Sequence, residues 1–229
     1  MNGFQTFWNG LDWSILTDML MSVIPALVCI TLHELSHGFV AYRLGDPTAK
    51  EMGRLSLNPI KHIDIMGLIM MIVFRFGWAK PVPVDMRRFR NPKADMAICA
   101  AAGPLSNLLL TCLLLLIYGL VYLPLLELEK TWADILLQTI ATTSYLSLAL
   151  AVFNILPISP LDGSKVLFSF LKPQQYYRLM RYERYGMIIL LILMATDILG
   201  NPLSAVTGWL YDRLFVIAEW SFDIVLNFI

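Results

Sequence analysis

The run AAGPLSNLLLTCLLLLIYGLVYL, Ala101 to Leu123, extends for 23 residues without a charge. A helix needs about 20 consecutive apolar residues to cross the hydrocarbon core of a bilayer. Lipid offers no partners to backbone N–H and C=O groups, so such a segment must satisfy them within its own helix. Apolar stretches flank it on both sides, among them MLMSVIPALVCI (Met19 to Ile30). The chain is 58% hydrophobic and only 15% charged, with mean hydropathy +0.66, against about 25% charged in an ordinary soluble domain. These features predict an all-α polytopic membrane protein embedded in a lipid bilayer. Lys+Arg and Asp+Glu both number 17, so the basic excess that marks a nucleic-acid partner is absent. Three cysteines (Cys29, Cys99 and Cys112) in apolar surroundings argue against a disulfide framework. No basic stretch precedes a short apolar core and cleavage site, so the first apolar helix is expected to be permanent.

Punctuation divides the chain into spans. Residues 1–16 hold Phe4, Phe7, Trp8 and Trp13 and suggest an interfacial aromatic lead-in. A first helix is predicted from about Thr17 to Leu44, ended by Gly45-Asp46-Pro47. Residues 48–92 are mixed. IMGLIMMIVF is too short to span and is followed by FGWAKPVPVD, which predicts a re-entrant loop or β-hairpin, tolerated at membrane depth only beside protein or a water-filled cavity. A second helix is predicted over about Ala94–Leu123, where Gly103, Ser106 and Asn107 suit close helix packing. The third covers about Trp132–Leu156 and is broken by Pro157 and Pro160 before Leu161-Asp162-Gly163. One or two C-terminal helices follow within 185–229, the segment after Pro202 either spanning or lying on the surface. The whole, 1–229, is expected to be one membrane-embedded domain with a three-helix core at about 17–170.

Basic residues set the expected orientation. None occurs in the first 42 residues, eight occur between 45 and 92, one (Lys130) lies between the second and third helices, and five lie in 163–185. The N-terminus is therefore expected outside, and the basic connections in the cytoplasm. HELSH and Asp162 then fall at similar depth, toward the cytoplasmic side.

HELSH places His33 and His37 four residues apart, on one face of a helix. Such a pair can bind one zinc ion, and the Glu34 between them can take a proton from water. Zinc lowers the pKa of a water it holds to roughly 7 and polarises a scissile carbonyl. The same five residues could instead be a packed His–Glu–His contact, but ionisable side chains in a membrane segment are costly and mark functional cavities. A catalytic zinc needs a third protein ligand and an open position. Asp162, beyond the doubly proline-broken helix end, is the preferred candidate, with a turn or helix-cap aspartate as the alternative reading. His62 is its rival, or else orders the polar loop. Cys29, one turn before His33, reads as helix packing.

Taken together, these motifs resemble the site-2 proteases, intramembrane zinc metalloproteases. HELSH is similar to the family's H-E-x-x-H, NILPISPLDG (Asn154–Gly163) to its N-x-x-P-x-x-x-x-D-G segment, and AAGPLSN (Ala101–Asn107) to its G-x-x-x-N element. LNPIKHID and the KPVPV turn resemble short bacterial members, and no PDZ or CBS module is seen. The resemblance implies one Zn2+ held by His33, His37 and Asp162, with Glu34 as general base. It also implies that Asn154 positions substrate or stabilises the oxyanion, where a helix–helix hydrogen bond is the alternative. Asn107 is as readily a packing residue. The implied substrates are transmembrane-helix proteins, and the implied location is a bacterial cell membrane. A metal transporter or binding protein without hydrolase activity is the competing function, because intramembrane His, Glu and Asp also line ion pathways.

Overall fold

The computed structural model describes residues 13–67, 79–196 and 198–228. Phe4, Phe7 and Trp8 of the aromatic lead-in lie outside them, as does most of the short apolar run with the FGW that follows it. Most of the described residues are helical, in the order α1 (Trp13–Arg43), α2 (Thr48–Glu51), α3 (Pro92–Leu126), α4 (Thr131–Asn154), α5 (Asp162–Ser169), α6 (Pro173–Arg181), α7 (Glu183–Ala195), α8 (Gly200–Leu214) and α9 (Val216–Leu226). Among the described residues, three helices are long and apolar enough to cross a membrane: α1 over Val23–Arg43, α3 and α4. The chain is an integral membrane protein of all-α type.

α3 is the central helix, packed on α1, α4, α5 and α9. Polar groups seam it to α4. Thr111 Oγ1 donates to the Ser144 carbonyl at 3.1 Å, and Ser147 Oγ donates to the Asn107 carbonyl at 2.8 Å. Asn107, Thr111, Ser144 and Ser147 are all fully buried. Hydroxyls and small side chains let helix backbones approach where lipid supplies no hydrophobic drive to associate. At the far half of α3, Gly119 meets Ser221 and the Ala218 backbone of α9. Tyr118 and Tyr122 lie against Phe215 and Phe222, ring centroids 6.2 and 5.9 Å apart. The sequence predicted one or two helices for this C-terminal region, and α7 matches the first of them. The segment after Pro202 is a helix pair interrupted at Phe215, with α8 packed on α4 and α9 on α3.

Between α1 and α3 the chain forms turns. Among the described residues it holds no strand, only an isolated antiparallel bridge between Ile63 and Ala79. Gly45, at φ +109°, ends α1 in a conformation that favours glycine. The fully buried Asp46 carboxylate then accepts from Thr48 N at 3.0 Å and from Asp85 N at 2.7 Å. That second bond fastens the KPVPVD strap to the end of α1. Gly38 makes the approach possible. A Cβ there would lie 2.7 Å from Leu55 Cδ2 and 2.9 Å from Val82 Cγ1, so the bare backbone lets the strap sit against the helix that carries HELSH. Arg54 Nη2 donates to the Lys80 carbonyl at 2.7 Å and fixes the strap's start.

Candidate active site

α1 projects His33 and His37 toward α3, and the α4–α5 turn delivers Asp162 to the same point. α4 ends at Asn154 rather than near Leu156. Residues 155–161 turn through Pro157 and Pro160 and feed α5, whose first residue is Asp162. The three side chains converge. His33 Nε2 is 3.0 Å from Asp162 Oδ2, His37 Nε2 is 3.1 Å from the same oxygen, and the two nitrogens are 3.1 Å apart. All three residues are at least nine-tenths buried. They are the metal-sized group of His, Cys, Asp or Glu found among the described residues.

The triangle fits zinc. Ligand atoms held about 2.0–2.1 Å from a tetrahedral zinc lie roughly 3.3–3.4 Å from one another, only slightly more than the spacing here. The donor set of two imidazoles and one carboxylate is also that of a catalytic rather than a structural zinc site. The hydrogen bond behind His37 agrees. Its Nδ1 lies 2.7 Å from the Cys99 carbonyl oxygen. A carbonyl only accepts, so Nδ1 carries the proton and Nε2 presents a lone pair to the triangle.

A cavity of about 350 Å³ opens onto the triangle, lined by Glu34, Pro81, Val82, Asn154 and Lys165 among others. Glu34 lies outside the ligand triangle, on the cavity wall. Its Oε2 accepts from the Val82 N–H at 2.7 Å. Pro81 and Pro83 have no N–H, so in this stretch Val82 is the donor available. Asn154 lines the same cavity, and its Nδ2 donates to the Leu150 carbonyl at 2.9 Å. Lys165 Nζ stands 3.8 Å from Asp162 Oδ1, the carboxylate oxygen that faces away from the histidines.

His62, the rival third ligand, is not in the cluster. It is buried in a 3-10 turn and its Nε2 donates to the Ser56 carbonyl at 2.8 Å. Cys29 donates from Sγ to the Thr143 carbonyl at 3.5 Å, joining α1 to α4. Asn107 stands behind His33, with Nδ2 3.1 Å from His33 Nδ1. Sequence reasoning missed Lys165, the Val82 N–H and the Cys99 carbonyl. Lys165 could have been found from its i,i+3 spacing to Asp162. The other two are backbone groups and leave no signature in residue type.

Gly103 makes this convergence possible. A Cβ at that position would lie 2.5 Å from both His33 Cε1 and His37 Nε2. The imidazoles therefore pack into a gap in α3 that only glycine leaves.

A His-Glu-x-x-His helix and a distant aspartate converging on one metal-sized site is the arrangement of a zinc metalloprotease. Comparison with known proteins agrees. The family model for peptidase family M50 matches residues 21–196, and the chain belongs to that family, the site-2-type zinc metalloproteases. It is 38% identical over 187 residues to the Bacillus subtilis protein named "Putative zinc metalloprotease YwhC", covering 82% of this chain and 83% of that one. It is 30% identical over 197 residues to "Putative zinc metalloprotease Rip2" of Mycobacterium tuberculosis, covering 84% and 73%. No solved structure matches the chain.

Proposed function

We propose that this metalloprotease hydrolyses peptide bonds within or beside transmembrane segments of other membrane proteins, using a single zinc held by His33, His37 and Asp162. The observation that carries the proposal is the buried triangle of Nε2, Nε2 and Oδ2 atoms beside Glu34, on a helix apolar enough to span a bilayer. A bound zinc would supply Lewis acidity, polarising the scissile carbonyl and making water nucleophilic near neutral pH.

The chain's own groups supply the rest. Glu34 is the general base, taking the proton from the attacking water and delivering it to the leaving amine. The Val82 N–H aims its carboxylate, leaving one oxygen free for the proton. Asn154 sits on the cavity wall, where the second N–H of its amide can meet the developing oxyanion. Lys165 adds positive charge on the same wall and holds the outer oxygen of Asp162. Pro81 and Val82 of the strap line one side of the cavity, and water kept out on that side would strengthen each of these interactions. A substrate helix must unwind locally to enter, because a helical peptide bond is shielded and already hydrogen-bonded.

The positive-inside pattern supports a site toward the cytoplasmic face with the N-terminus outside. Substitution of the third ligand tests the function. Asp162→Ala in purified protein is expected to lower zinc content far below one per chain and to abolish cleavage of single-span substrates. Full zinc occupancy with normal cleavage would refute the ligand set.

A further inference from the structure

We propose that Asn107 is a positioning residue for the zinc site, whose side-chain oxygen accepts a hydrogen bond from His33 Nδ1 and so fixes that imidazole with its Nε2 lone pair toward the metal. The inference rests on the reading of the triangle as a zinc site.

The two histidines must present the same atom. Both direct Nε2 into the triangle, so both need their proton on Nδ1. His37 has an acceptor there, the Cys99 carbonyl at 2.7 Å. Behind His33 stands the Asn107 side-chain amide, with Nδ2 3.1 Å from Nδ1. An N–H donated to Nδ1 would force the His33 proton onto Nε2, where it would block metal binding. A half-turn of the amide exchanges nitrogen for oxygen at almost the same positions. The half-turn breaks no hydrogen bond at the oxygen, because Asn107 Oδ1 is buried without a hydrogen-bond partner among the described residues. With the oxygen turned to His33, the two ligand histidines are held alike, each by an oxygen acceptor behind Nδ1.

The surroundings are built to hold this amide. Asn107 is 0% exposed. Its backbone carbonyl accepts from both Thr111 Oγ1 and Ser147 Oγ, at 3.0 and 2.8 Å, which ties it to α4. Gly103 lies one turn earlier on the same face of α3 and admits the rings that Asn107 then orients. The Gly-x-x-x-Asn spacing thus does two jobs at one site. Acceptors behind metal-bound histidines typically contribute about 10–100-fold in metal affinity.

The test is zinc affinity, measured by chelator competition on the full-length protein in detergent, with the visible spectrum of the Co(II)-substituted form as a second readout. Asn107→Leu keeps the volume and removes the acceptor. Asn107→Asp keeps an oxygen and removes the donor. The proposal expects N107L to bind zinc about 10–100-fold more weakly with a changed Co(II) spectrum, and N107D to stay within about threefold of native. Native affinity in N107L overturns it. So does an N107D loss as large as that of N107L, which would make the amide a donor or a packing group. If N107L does not fold, N107D decides alone: retained affinity supports the acceptor role, and a tenfold loss refutes it. His37→Ala serves as the control on the site itself. If it binds zinc as the native protein does, the zinc site has been misassigned, a failure distinct from that of Asn107.

Discussion

Adding one methyl group at position 103 should disable the zinc site. A Cβ there would lie 2.5 Å from His33 Cε1, 2.5 Å from His37 Nε2 and 2.6 Å from His33 Nε2. Ordinary contact begins near 3.4 Å, so both rings must retreat by about 1 Å or α1 must part from α3. Neither movement is free. His37 is anchored to the Cys99 carbonyl and His33 lies against Asn107, while overpacking a tight interior typically costs about 1–3 kcal/mol. Zinc–ligand distances tolerate only about ±0.2 Å, a fifth of the required shift. Gly103→Ala is therefore expected to weaken zinc binding by about 100-fold or more, and misplacement of reacting groups by 1 Å costs cleavage about as much. Chelator competition and cleavage of a single-span substrate in micelles measure the two effects, with circular dichroism to verify that the helices persist. Zinc affinity within about twofold of native would refute the claim that the histidine rings occupy the gap at Gly103.

Two further substitutions separate the catalytic strap from the helix packing. Val82→Pro removes the N–H that Glu34 Oε2 accepts; hydrogen bonds to charged groups are worth about 1.5–3 kcal/mol, so turnover should fall about 10–100-fold while zinc stays bound, and an unchanged turnover would show that the strap does not orient the base. Gly119→Val drives a side chain into Ser221 and the Ala218 backbone, which should lower thermal stability by about 1–3 kcal/mol. Sixteen residues beyond Gly103 on α3, it lies about 24 Å along the helix from the histidines, so zinc affinity should be untouched; a loss of zinc without loss of stability would contradict the packing described for α9.

The helices and two of the proposed ligands were legible because their signals are local. Apolar length marks α1, α3 and α4, and i,i+4 spacing puts His33 beside His37 whatever the rest of the chain does. Asp162 needed more, a proline-broken helix end and the likeness of NILPISPLDG to a known motif, because its approach to His33 spans 129 residues of sequence. What stayed hidden belongs to the backbone or to tertiary contact. The Val82 N–H and the Cys99 carbonyl belong to groups that every non-proline residue carries. The gap at Gly103 reads in the sequence as general small-residue packing, and only the fold shows which rings fill it. The helix break at Phe215 has neither proline nor glycine to announce it. The expected hairpin is reduced, among the described residues, to the Ile63–Ala79 bridge, and the paired prolines of KPVPV explain in part why its second arm has little to donate.

The central claim is that zinc held by His33, His37 and Asp162 and a proton taken by Glu34 together hydrolyse the peptide bond. The most direct measurement is cleavage of a panel of single-span substrates by purified Glu34→Gln protein, with zinc content determined on the same sample. The amide keeps the shape and the Val82 contact but cannot accept the proton. One zinc per chain with cleavage reduced by at least about 100-fold is the predicted result, in keeping with the usual contribution of a general base. Cleavage at the native rate with zinc still bound would contradict it.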